Sequence, residues 1–77
     1  MDIKCYDNHG ETIDRYTAVY LDRPEHGGFY EMLAVSDSPT HPCGVCQHTT
    51  GMDGEHLGTL TPFSELPADV QQAIKNG

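Results

Sequence analysis

The residues best suited to chemistry lie close together, in His41-Pro42-Cys43-Gly44-Val45-Cys46-Gln47-His48, with His56 a short way on. Two cysteines in a Cys-x-x-Cys spacing can hold one zinc ion, because a tight turn between them brings both sulfurs to one point, and Gly44 permits that turn. Any two of His41, His48, His56, His26 and Cys5 would complete a four-coordinate site with Cys43 and Cys46, and Cys43, Cys46, His48 and His56 are the set expected. The sequence lacks the second pair at matching spacing that marks a zinc finger. A thioredoxin-like redox centre needs its first cysteine at a helix start, where the dipole lowers the thiol pKa. Gln47-His48-Thr49-Thr50-Gly51 is a poor helix start. The alternative reading makes both cysteines small apolar side chains that pack a loop onto the fold.

Acid–base catalysis is less well supported. Among the five histidines, His41 near Ser36 and Asp37 forms the one local set holding a base, a hydroxyl and a carboxylate. Triads assemble in space rather than in sequence, so this proximity carries no geometry. His26-Gly27-Gly28 resembles an oxyanion loop only superficially, and a β-turn accounts for it better. The expectation is a protein that binds rather than catalyses.

Charge indicates the kind of partner. Twelve Asp and Glu stand against four Lys and Arg, for a formal net charge of −8. The basic residues are Lys4, Arg15, Arg23 and Lys75, so that no Lys or Arg occurs from Pro24 to Ile74. Phosphate backbones and anionic lipid would repel such a chain. A basic protein surface is the natural complement, including one that normally holds nucleic acid. The carboxylates expected to meet it are Asp7, Asp14, Asp22, Glu25, Glu31, Asp37, Asp53 and Glu55. No apolar run approaches membrane-spanning length, and Met1-Asp2-Ile3-Lys4 lacks the features of a signal peptide, so an intracellular location is expected.

The elements that must position these groups read as one α+β domain over residues 1–77, with room for a single core. It is expected to be a monomer or a homodimer. Ile3–Tyr6 reads as a strand, and Asp7-Asn8-His9-Gly10 as a tight reversal. Thr12–Leu21 reads as a longer strand, with Tyr16, Ala18 and Tyr20 on one face and Thr17, Val19 and Leu21 on the other. Asp22–Gly28 is expected to be a loop and Phe29–Val35 a third, central strand. Ser36–Glu55 shows no clear period and reads as a long functional loop. His56–Thr61 is a weaker fourth strand. Ser64–Gly77 reads as a helix capped by Ser64, its stripe of Leu66, Val70, Ala73 and Ile74 facing the sheet. The result is a small antiparallel sheet of three to four strands with one C-terminal helix packed on it.

Cys5-Tyr6-Asp7-Asn8-His9-Gly10-Glu11-Thr12-Ile13-Asp14-Arg15-Tyr16-Thr17 resembles the opening of a group of small uncharacterised phage and prophage proteins with the pattern C-Y-D-N-x-G-x-T-x-D-R-Y-T. The resemblance resumes at His41-Pro42-x-Gly44 with Gln47-His48, and again from His56-Leu57-Gly58 to Leu66-Pro67. In that pattern Gln and Gly-like residues stand where Cys43 and Cys46 stand here. The resemblance therefore implies that a shared function rests on Asp7, Asn8, Asp14, Arg15, His41, Gln47 and His48 rather than on the cysteines. It also implies phage origin, accessory status and action in the cytoplasm of a bacterial host.

By size and charge, small acidic phage proteins are similar to the inhibitors that phages use against host defence, anti-CRISPR proteins among them. The leading expectation is thus a non-enzymatic inhibitor that docks its acidic face on a basic, nucleic-acid-binding surface of a host protein. Two others stand beside it. One is a zinc-stabilised module built on Cys43, Cys46 and histidines. The other is a nucleotide-binding sponge whose pocket is lined by Asn8, Arg15, His41, Gln47 and His48.

Overall fold

A computed structural model describes residues 2–77. Strand β1 (Ile3–Asp7) pairs with β2 (Tyr16–Pro24), β2 with β3 (Phe29–Val35) and β3 with β4 (Cys46–Met52), in an antiparallel meander. The fifth strand, β5 (Thr59–Thr61), adds to the free side of β1, giving the order β4-β3-β2-β1-β5. The fold is α+β as expected, with one strand more than the sequence pattern provided. To reach β5 from β4 the chain must cross the full width of the sheet, and residues 53–58 make that crossing. Helix α1 (Ala68–Asn76) packs on the opposite face.

Alternation along the strands explains why both faces need cover. Tyr16, Ala18 and Tyr20 of β2 point with Cys5, Leu33 and Val35 toward Leu66, Val70 and Ile74 of the helical segment, and together they form the main core. Each aliphatic side chain buried there stabilises the fold by about 1.5–3 kcal/mol. The buried Tyr20 hydroxyl donates to the Ile74 carbonyl at 2.8 Å, which fixes the end of α1 to the central strand. Val19 points the other way and meets Tyr6 and Met32, with Leu57 of the crossing segment packed against them.

Several expected boundaries move, each for a physical reason. Thr12 and Ile13 lie outside β2, in a connection bent by its own side-chain hydrogen bonds; Ile13 is 65 % exposed. Beyond Leu21 the strand continues through Asp22 to Pro24 with a register shift, and the loop shrinks to a 3-10 turn at His26–Gly28. Ser36–Glu55 is not structureless throughout, since it contains β4. That strand escaped the pattern because every residue in it is exposed or half-buried, so no apolar alternation marks it. His56 and Leu57 belong to a 3-10 turn and only Thr59–Thr61 are strand. Ser64 sits in another 3-10 turn, and α1 starts instead after Pro67, whose carbonyl accepts the first helical hydrogen bond from Gln71.

Candidate functional site

The connection between β1 and β2 is built around one carboxylate. Asp7 ends β1, and Arg15 immediately precedes β2, so the antiparallel pairing brings them to the same end of the sheet. Arg15 donates to Asp7 through Nε at 2.9 Å and Nη2 at 3.2 Å, and the His9 backbone N–H donates to the same carboxylate at 2.7 Å. The Arg15 hydrogen bond holds the Asp7 carboxyl below the usual carboxylate range, against the opposing effect of burial, and the His9 N–H assists. Asn8 braces the rest: its Nδ2 donates to Thr12 Oγ1 and the Asp14 carbonyl, and its Oδ1 accepts from the Gly10 N–H. His9 and Gly10 both adopt the left-handed region there, with φ of 61° and 86°.

His9 adds an arrangement with a catalytic look. Its Nε2 lies 2.9 Å from Thr59 Oγ1, and its Nδ1 lies 3.7 Å from Asp7 Oδ2. Asp7, however, is already engaged by the Arg15 guanidinium, and 3.7 Å is too long for the hydrogen bond that would orient an imidazole. The set reads as a tie between the β1–β2 connection and β5. Gly58 tightens the same tie, because a Cβ there would stand 2.5 Å from the Asp7 carbonyl oxygen.

The predicted zinc ligands do not converge. Cys43 borders a depression with Ile13, Asp37 and His41, whereas Cys46 and His48 lie on the α1 side of β4. His56 belongs to the segment that crosses the other face. Among the described residues no three His, Cys, Asp or Glu side chains come together as a metal site. The local turn also differs from a chelating one: the Cys43 N–H donates to His41 Nδ1 and the Gly44 N–H to the His41 carbonyl.

Nor do the five residues of the predicted nucleotide pocket line one cavity. Asn8 and Arg15 are held by the hydrogen bonds above. His41 borders the Ile13 depression, and Gln47 and His48, adjacent on a strand, point to opposite faces. His48 instead faces a groove of about 430 Å³ between β4 and α1, together with Leu33, Pro39, Cys46 and Ala73.

The eight predicted partner-binding carboxylates divide into three kinds. Asp7, Glu31 and Asp53 are satisfied internally: Glu31 lies 3.4 Å from Arg23, and Asp53 accepts from Lys4 at 3.1 Å and from the Tyr6 hydroxyl. The Tyr6 hydrogen bond keeps the Asp53 carboxyl low, while burial and that same bond push the Tyr6 phenol up to about 12. Asp14 is half-buried, and its Oδ1 has no hydrogen-bond partner among the described residues. Asp22, Glu25, Asp37 and Glu55 are exposed.

These carboxylates occupy no single face. Asp22 and Glu25 lie at the β2–β3 end of the sheet, and Glu55 lies on the crossing segment. At the opposite end, the β1–β2 and β3–β4 connections and the start of α1 form a rim that carries Glu11, Asp37 and Asp69. Tyr16 lies beneath this rim. Its phenol is raised mainly by burial, with Asp7, Asp37 and Asp69 adding to the effect and Arg15 opposing it. Ile13 stands exposed on the rim beside Asp37. Sequence reasoning missed Glu11 and Asp69, which are not among the eight expected carboxylates, and Ile13, which it placed inside the strand Thr12–Leu21. No helix among the described residues is long and apolar enough to cross a membrane. In comparisons with known proteins the chain matches no family model, no curated protein and no solved structure.

Proposed function

We propose that this protein is a non-enzymatic binding protein of phage origin, an inhibitor that occupies a basic, normally nucleic-acid-binding surface of a host defence protein. The observation that carries this reading is the disposal of the basic residues. Lys4, Arg15 and Arg23 each pair with a carboxylate of the same chain, and Lys75 lies over the Phe63 ring. The net charge of −8 is therefore presented outward by carboxylates with little positive charge interspersed. A surface of this kind steers a basic partner toward it.

The rim is the best contact surface, because it combines Asp37, Asp69 and Glu11 with exposed Ile13. Binding hot spots are commonly apolar anchors enclosed by groups that select the partner electrostatically. Phage origin rests on the C-Y-D-N-x-G-x-T-x-D-R-Y-T resemblance. Affinity capture from the bacterial host tests the proposal. The captured protein should be one that binds nucleic acid, should lose that nucleic acid on capture, and should be released as salt rises. Charge reversal at Asp37 and Asp69 together should weaken capture. A partner held equally well at low and high salt would sink the electrostatic reading.

A further inference from the structure

We infer that β4 is a self-association edge, through which two copies of the chain pair their sheets antiparallel about a two-fold axis at Thr49. Three observations lead there. First, β4 is paired to β3 along all seven of its residues, Cys46 to Met52, and at the end of the strand order its other side has no neighbour among the described residues. Isolated edge strands normally carry lysines, proline, inward-pointing charge or a bulge to block further pairing. Cys-Gln-His-Thr-Thr-Gly-Met has no Lys, no Pro and no carboxylate, and its register with β3 is unbroken.

Second, the strand tolerates its own copy. Pairing centred on Thr49 sets Cys46 opposite Met52, Gln47 opposite Gly51, and His48 opposite Thr50. No acidic residue faces another across the junction, despite the net charge of −8 on each chain. The nearest carboxylate on β3, Glu31, is neutralised by Arg23 and lies 3.6 Å from His48 of its own β4.

Third, on the α1 side one end of β4 opens on an apolar groove and the other carries exposed apolar side chains. The Cys46 end opens on the apolar groove that includes Leu33, Pro39 and Ala73. The Met52 end carries exposed apolar bulk, with Met52 54 % and Phe29 42 % exposed and paired across β3 and β4. Directly opposed residues on antiparallel strands share a face. The two-fold therefore places Met52 of each copy against the groove mouth of the other. A strand from an unrelated partner would satisfy the edge hydrogen bonds without meeting this match, and the second copy is the occupant that does.

Sedimentation velocity of the wild-type protein under reducing conditions, across micromolar to millimolar concentration, should give a dimer. Thr49→Lys places two ammonium groups opposite each other at the axis and should weaken dimerisation about fivefold or more while leaving the circular dichroism spectrum unchanged. A second variant reads the register. In the double variant Cys43→Ser/Met52→Cys, oxidised glutathione should join Cys46 of one chain to the thiol introduced at position 52 of the other and yield a covalent dimer. Within one chain those positions lie at opposite ends of the strand, about 20 Å apart, far beyond disulfide reach. A wild-type monomer at every concentration overturns the inference. So does a dimer indifferent to Thr49→Lys in which the double variant gives no link between positions 46 and 52. Neither readout requires the host partner, so the inference stands or falls apart from the proposed inhibitory role.

Discussion

Asp7→Asn separates a structural role for the Asp7–Arg15 pair from a functional one. The carboxylate accepts three hydrogen bonds, at 2.7, 2.9 and 3.2 Å, and its side chain is 13 % exposed. An asparagine with its oxygen at the Oδ1 position keeps the bonds from the His9 N–H and Arg15 Nε but without their charge, and turns an amide toward Arg15 Nη2, so one of the three bonds is lost outright. Hydrogen bonds to charged groups contribute about 1.5–3 kcal/mol each when buried. Arg15 is 34 % exposed and can recover water, which reduces the loss. The expected destabilisation is about 2 kcal/mol, or a fall in Tm of about 8–16 °C for a domain of this size.

Urea and thermal melts followed by circular dichroism measure it, and pH gives the signature. Because the folded carboxyl is held low, its contribution is present above the unfolded value of about 3.9 and is lost as pH falls through the lower folded value. The difference between wild type and variant should therefore shrink in acid. A variant within about 0.5 kcal/mol of wild type at neutral pH, in the range of ordinary surface substitutions, would refute the assignment.

Four further outcomes follow from the same geometry. Leu33→Ala, at a side chain 1 % exposed in the main core, should cost about 2–5 kcal/mol in urea unfolding. Gly58→Ala should be destabilising by more than the usual glycine replacement in a differential scanning measurement, since φ is 130° and the added methyl meets the Asp7 backbone. In alkali, stability should fall as pH rises from about 10, the unfolded tyrosine value. The loss should continue through the Tyr6 value of about 12, and Tyr6→Phe should flatten the slope without abolishing it, because burial also raises Tyr16 and Tyr20. Finally, a thiol reagent at neutral pH should modify Cys43 and Cys46 quickly. Cys5, buried and pushed up to about 11, should react only after denaturant is added.

The parts of the fold legible in sequence were those where burial marks the side chains. Tyr16-Thr17-Ala18-Val19-Tyr20 is apolar at nearly every position because Tyr16, Ala18 and Tyr20 enter one core and Val19 the other, and Val70 and Ile74 recur at helical spacing because one stripe of α1 is buried. Strand β4 was hidden for the converse reason: main-chain pairing to β3 makes it a strand, and its side chains record nothing of that. The candidate site was legible as a charge balance and not as a surface. Counting residues could not reveal that Asp7, Glu31 and Asp53 are absorbed by Arg15, Arg23 and Lys4, because those pairs join residues from eight to forty-nine positions apart.

The motif that carries the phage resemblance takes on a different meaning in this light. Cys5 and Tyr16 belong to the main core, Tyr6 to the second, Asp7 and Arg15 to the ion pair, and Asn8 and Thr12 to the brace inside the connection. Each of these residues has a structural task that accounts for its type and its spacing. Under the proposed phage kinship such a motif transmits a scaffold, and it leaves partner choice to positions the scaffold does not use. Under the proposed function those positions are the exposed residues of the rim, Glu11, Ile13 and Asp37. Substituting Ile13→Ala with Asp37→Ala should therefore abolish host-partner capture while leaving Tm nearly unchanged, whereas Asp7→Asn should lower Tm and spare capture at temperatures where the variant is folded. The reverse pattern would return the motif to the binding surface and remove the rim from it.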